Sequence, residues 1–256
     1  MTMTYTAHWT TQQHAASLLE LDIVVLDTET TGLDDNDEII EMGVIDKNGE
    51  VLIDCLVKPT RPVPDFITKI NNIDNDMVED MGQKWRSVAL DLVEYSDRTF
   101  VMYNAVFDVR MIKQSHAFHK FAAHWFGGIF RGMPDLDFIA HRSVDLMELA
   151  NRHFHQHLEW DEGKSCFKRL SLKKCCEIAG IAYPDDAHRA VPDCQVTLQL
   201  LQFIANDVPV ENDVTACSKC GDRLGHEEDA GDVCRFCNEG WVPSDPSERN
   251  VACSVG

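Results

Sequence analysis

Positive charge is scarce in this chain: 23 Lys and Arg stand against 43 Asp and Glu, a formal net charge of −20 over 256 residues. Neutralising a duplex backbone needs an excess of basic side chains, so tight, sequence-independent wrapping of nucleic acid is excluded. A grip on a strand end through divalent ions is not, because bound cations invert the local charge. Long apolar runs are missing as well. The opening MTMTYTAHWTTQQHAASLLELD has no basic start followed by an unbroken apolar stretch, and no segment elsewhere reaches spanning length, so neither membrane insertion nor secretion is expected. Internal repeats are absent. A disulfide framework is missing in pattern, although ten Cys are present. Four form two CxxC pairs, Cys175 and Cys176 are adjacent, and Cys55, Cys166, Cys194 and Cys253 are scattered, as suits buried or metal-bound thiols in a reducing cytoplasm.

Hydrophobic content of 44% and charged content of 26% are those of an ordinary globular protein with one sizeable core and a small appendage. Residues 1–20 read as an arm with a short helix over 11–20. The main domain, 21–207, opens with three strand-like runs, 22–29, 38–46 and 50–58, the last two joined by a hairpin turn at Asn48-Gly49. A loop and short helix over 65–81 and an amphipathic helix over 87–95 follow. Then come an apolar strand (99–104), a helix (105–121), a short strand (141–144), and helices over 171–180 and 193–207. Three strands in hairpin order and then strand–helix alternation predict an α/β fold, a mixed five-stranded sheet flanked by helices. Beyond it stand a linker (208–216), a Cys-rich module (217–241) and a tail of disordered composition (242–256).

The run VVLDTETTGL ends an apolar strand on two carboxylates. Asp27 and Glu29 are two apart, so they leave the same face of the sheet. Asp108 falls on the first turn of the helix after the 99–104 strand, and Asp193 starts the last helix, five residues after His188. Taken singly, an Asp at a helix start is a cap more often than a ligand. As a set, acids at strand ends and adjacent helix starts can converge on one pocket, and hard oxygen donors suit Mg²⁺ or Mn²⁺ rather than zinc.

VVLDTETTGL, YNAVFDVRMI and HRAVPD resemble, in order, the three motifs of the DnaQ-like DEDDh exonucleases, which include the proofreading epsilon subunit of bacterial DNA polymerase III, ribonuclease T and oligoribonuclease. The likeness covers about residues 20–206. It implies a ribonuclease-H-like sheet and 3′→5′ hydrolysis of nucleic acid with two metal ions about 3.5–4 Å apart. The motifs do not decide the sugar, because the metals grip phosphate and the 2′-OH is read elsewhere; DNA is the expectation. Carried over residue by residue, Asp27 bridges both metals, Glu29 and Asp193 hold the one on the side of the attacking water, and Asp108 helps hold the other on the leaving-group side. His188 takes the proton from the water. Thr30, Thr31 and Gly32 offer hydroxyl and backbone contacts to the terminal nucleotide, Leu33 packs on its base, and Asn104 orients the second-motif turn. One departure stands out: Asn71-Asn72-Ile73 occupies the place where many members read His-Gly-Ile.

Other features lie outside these motifs. His116, His119, His124, His141, His153, His155 and His157 crowd 116–157. HFHQH there is a candidate second metal site, although alternating His more often faces solvent or nucleic acid. Phe118, Trp125, Phe126, Phe130, Phe138 and Trp160 read as core, with one or two free to stack on bases. In the C-terminal module, CSKC and CRFC place Cys217, Cys220, Cys234 and Cys237 at the spacing of a structural, four-coordinate zinc ribbon. Ten acidic and four basic residues over 211–256 suit a protein partner, or capping of the nuclease domain, better than phosphate. The rival readings are a ribonuclease trimming RNA 3′ ends or short oligonucleotides, and a non-catalytic protein that recruits partners to strand ends.

Overall fold

The computed structural model describes residues 10–125, 133–161, 163–164, 166–184 and 188–207. Helix α1 (Thr11–Glu20) leads into strands β1 (Ile23–Thr30), β2 (Ile39–Asp46) and β3 (Val51–Leu56). Helices α2 (Asp65–Asn71), α3 (Asn75–Asp80) and α4 (Trp85–Val93) precede β4 (Thr99–Met102) and the long α5 (Ala105–Trp125). Then follow α6 (Asp137–Arg142), β5 (Ser143–Asp145), α7 (Leu146–His153) and a small ribbon of β6 (Trp160–Asp161) and β7 (Cys166–Phe167). Helices α8 (Leu172–Ala179) and α9 (Ala190–Asn206) complete the described chain.

The main sheet has the order β3-β2-β1-β4-β5. Its first three strands pair antiparallel, and β1, β4 and β5 run parallel. This is the mixed five-stranded sheet that the sequence predicts. Strand β1 is apolar on both faces because both are covered. Ile23 and Val25 pack with α1, α7, α8 and α9, whereas Val24 and Leu26 pack with α4, α5 and α6. The period of two then carries Asp27 and Glu29 onto the side of α9. At the hairpin, Gly49 takes φ 87, the left-handed conformation that a tight turn asks of glycine.

Several boundaries differ from expectation. The 65–81 stretch divides into two helices because Asn72 adopts φ 58 and ends α2. Residues 141–142 finish α6, so β5 is confined to Ser143–Asp145. Helix α4 runs Trp85–Val93 rather than 87–95, drawing Trp85 fully into the core. Helix α9 begins at Ala190, three residues early. Pro192 is tolerated there because first-turn N–H groups lack intrahelical partners.

The expectation that the alternating His face solvent is corrected for two of them. His153 and His155 are buried, and His157 alone of the HFHQH three is exposed. His153 lies between α1 and the end of α9: Nδ1 meets Thr11 Oγ1 at 2.9 Å, and Nε2 meets Asp207 Oδ2 at 3.0 Å. Burial of this imidazole on the inward face of α7 ties three helices together. Phe138 packs on Phe100 of β4 as expected of core, whereas Trp160 is half-exposed against Phe167. Among the described residues no helix is long and apolar enough to cross a membrane. Residues 1–9, Phe126, Phe130, the linker 208–216, the Cys-rich module with Cys217, Cys220, Cys234 and Cys237, and the tail 242–256 lie outside the described residues.

Candidate active site

Asp27 and Glu29 occupy the C-terminal end of β1, where a bulge between Glu29 and Thr30 bends the strand out of register. Asp193, in the first turn of α9, comes down on the same face. Ligand oxygens of Asp27, Glu29 and Asp193 all lie within 4.8 Å of one another, and among the described residues no other three His, Cys, Asp or Glu gather in this way. HFHQH is therefore not a second such centre. Asp193 is oriented by the Tyr183 hydroxyl, which donates to Oδ1 at 3.4 Å, and by the His188 main-chain N–H, which donates to Oδ2 at 3.3 Å. Asp108 is buried in the first turn of α5 and stands outside the set of three. It accepts a 2.7 Å hydrogen bond from Thr28 Oγ1.

Four acids in low-dielectric surroundings are hard to ionise together. Burial, followed by the charges of Asp108, Glu29, Asp193 and Glu41, pushes the Asp27 carboxyl well above its usual range. Burial raises Glu29 to about 7, against the pull of the Asn71 amide. Asp108 is likewise raised by burial to about 7, although the Thr28 bond opposes the shift. Among the described residues the nearby Arg189 lowers Glu29 somewhat, but its guanidinium is bonded to Glu41. Clustered hard oxygen donors whose charges repel are a donor set that fits Mg²⁺ or Mn²⁺.

His188 has φ 73, a conformation non-glycine residues rarely adopt; it is exposed, and its main-chain N–H is what meets Asp193. What fixes this segment came from residues that sequence reasoning passed over. Arg189 donates from Nε (2.8 Å) and Nη2 to Glu41 Oε1, and the Ala190 N–H donates to Glu41 Oε2 at 3.0 Å. Glu41 is thus a buried acceptor on β2 for the N-terminus of α9. Two residues on, Gly43 brings β2 and α9 into contact: a Cβ there would sit 2.7 Å from the Ala190 carbonyl carbon. An acid inside the apolar run IIEMGVI, with a glycine two residues after it, was the available signal. Asp145 was also missed. Its Oδ1 accepts from the main-chain N–H of Asn104 (3.2 Å) and of Met147 (2.9 Å), steadying the second-motif turn where Asn104 has φ 69.

The hydroxyls named as substrate contacts are engaged within their own loop. Thr30 donates to the Gly32 carbonyl at 2.7 Å and Thr31 to Asp37 Oδ1 at 2.8 Å, both from buried positions. Gly32 is tight against Asp37, and Leu33 beyond it is 63% exposed.

A mixed five-stranded sheet whose central strand ends on two carboxylates, met there by a third from the last helix, has the architecture of a ribonuclease-H-like fold. The model of the RNase T exonuclease family matches residues 24–201, and the chain belongs to that family, an exonuclease acting on nucleic acid. An uncharacterized exonuclease, CP81, of Escherichia phage 186 is 33% identical over 203 residues, which are 77% of this chain and 94% of the phage protein. The DNA polymerase III epsilon subunit of Rickettsia typhi is 33% identical over 96 residues, 35% of this chain and 42% of that subunit. The fold is shared with E. coli exonuclease I, solved in complex with a dT13 oligonucleotide, at a TM-score of 0.54 and 15% identity, covering 73% of this chain and 41% of that one.

Proposed function

We propose that this exonuclease hydrolyses phosphodiester bonds from the 3′ ends of DNA with two divalent metal ions. The observation that carries the reading is the convergence of Asp27, Glu29 and Asp193 oxygens within 4.8 Å on one face of β1. These three and Asp108 would hold Mg²⁺ or Mn²⁺. Ions bound there supply the charge that keeps the acids ionised near neutral pH, polarise the scissile phosphate and favour departure of the 3′ oxygen.

The chain's own residues do the rest. His188, exposed beside Asp193, accepts the proton of the attacking water. Tyr183 and the His188 main chain hold Asp193 in place, and Thr28 does so for Asp108. Leu33 packs on the terminal base, with Thr30, Thr31 and Gly32 shaping the loop that presents it, and Asn104 sets the turn that delivers Asp108. DNA is favoured by the names of the relatives, a DNA polymerase III subunit and an exonuclease I solved with a dT oligonucleotide.

The spacing of Cys217, Cys220, Cys234 and Cys237 supports a structural zinc ribbon that docks a protein partner. One zinc per chain by elemental analysis, lost in Cys217→Ser, is the expected result, and a zinc-free wild-type protein overturns it.

Equal-length 5′-labelled strands of DNA and RNA, incubated with Mg²⁺, Mn²⁺ or EDTA, test the main reading. A metal-dependent ladder shortening from the 3′ end, faster on DNA and absent in Asp27→Ala, is expected. Faster shortening of RNA would move the substrate to RNA 3′ ends, and undiminished cleavage by Asp27→Ala would remove the two-metal mechanism.

A further inference from the structure

We infer that Asn71 is a positioning residue that fixes the Glu29 carboxylate for ion binding through a neutral amide. The inference rests on the proposed role of Glu29 as an ion-holding acid.

Asn71 is the last residue of α2 and is only 2% exposed. After it, Asn72 turns the chain with φ 58, so that Ile73 drops into a small core with Ile40, Val63 and Ile67. Asn71 Oδ1 accepts the Ile73 main-chain N–H at 3.0 Å, an amide-on-backbone turn of the kind Asn favours. That bond decides which way the amide points. With Oδ1 held by a donor, Nδ2 faces Glu29 Oε2 at 3.4 Å. The flipped amide would set N–H against N–H on one side and oxygen against carboxylate on the other. Among the described residues Asn71 is the one side chain hydrogen-bonded to Glu29.

A neutral donor suits this place better than a cation would. It aims one carboxylate oxygen without cancelling the charge that an ion needs, and it leaves the other oxygen free. Lys or Arg at position 71 would compete with the ion itself. The backbone turn after α2 is thereby connected to the end of β1, 42 residues earlier in the sequence.

The test uses the full chain with two substitutions that keep an acceptor for the Ile73 N–H. Asn71→Ser retains the turn through its hydroxyl but is too short to reach Glu29. Asn71→Asp retains it through a carboxylate and puts an acceptor where the donor stood. Melting temperature, Mn²⁺ affinity from the paramagnetic resonance of free Mn²⁺, and kcat and KM on single-stranded DNA are read together. Expected are melting temperatures near wild type, Mn²⁺ binding weakened about 10–100-fold in Asn71→Ser, and kcat lowered in both variants with KM little changed. Wild-type Mn²⁺ affinity and kcat in Asn71→Ser would overturn the inference, as would losses that only follow a fall in melting temperature. A wild-type chain that neither binds Mn²⁺ nor cleaves would overturn the functional reading, and the inference with it. Wild-type binding and cleavage that Asp27→Ala abolishes, beside an unaffected Asn71→Ser, would overturn the inference alone.

Discussion

Glu41 lies directly opposite Glu29 across the β1–β2 ladder, and the two acids of this register pair have different fates. Glu41 is satisfied from within the chain, by the Arg189 guanidinium and the Ala190 N–H. Among the described residues Glu29 accepts a side-chain hydrogen bond only from a neutral amide, and it stands beside two more acids. One carboxylate of the pair builds the frame while its neighbour is left with charge to offer.

Glu41→Gln keeps the shape and an oxygen for Ala190 but removes the charge that holds Arg189. A buried, charge-assisted hydrogen bond is lost, so stability should fall by about 1–3 kcal/mol in urea denaturation. Turnover should fall too, because the segment from His188 to Asp193 is anchored at this point. Unchanged turnover would show that the segment keeps its place without the pair.

Metal should stabilise the fold in a pH-dependent way. Glu29 and Asp108 are raised to about 7, so between about 4 and 7 they hold more protons folded than unfolded. The metal-free chain therefore loses stability from these groups as pH rises through that window, and ions that bind the ionised acids restore it. The gain in melting temperature from saturating Mg²⁺ over EDTA should grow from about pH 4 to about pH 7 and then level off. Comparing the two at each pH cancels unrelated groups such as His14, which burial lowers to about 4. Asp27→Asn should shrink the gain, and a gain independent of pH would separate metal binding from these acids.

Two glycines should respond differently to alanine. At Gly43 the new Cβ meets the Ala190 and Val191 backbone at 2.7–2.9 Å, and backbone cannot move aside cheaply. A loss of about 1–3 kcal/mol together with reduced turnover is expected. Gly49 faces open space but has φ 87, so Gly49→Ala should cost about 1–2 kcal/mol of stability with turnover intact. Thermal melts and single-turnover rates on both variants decide this.

His188→Ala should lose most activity at neutral pH and regain part of it as pH rises, where hydroxide needs no base to form. Its exposed side chain makes a folding defect a poor explanation for such a profile. A pH–rate curve of wild-type shape and height would take His188 out of the proton-accepting role.

The five strands, their mixed sheet and most helices were legible because they rest on local patterns: the period-two run of β1, the Asn48-Gly49 turn, and the apolar spacing of α9. The acids were legible for a related reason. Ionisable side chains closing an apolar strand break the pattern around them and invite a chemical explanation. Boundaries slipped where local signals compete, as at Pro192, which reads as a stop yet sits comfortably in the first turn of α9.

Sequence by itself determined the layers of this protein and pointed to its four candidate acids, since periodicity and charge at strand ends and helix starts are written within a few residues. Tertiary structure decided how those acids are held. Glu41 meets Arg189 across 148 positions, Thr28 meets Asp108 across 80, and Asn71 meets Glu29 across 42. A polar side chain inside a fold is stable only with a partner, and which partner it finds depends on how strands and helices are brought together in space.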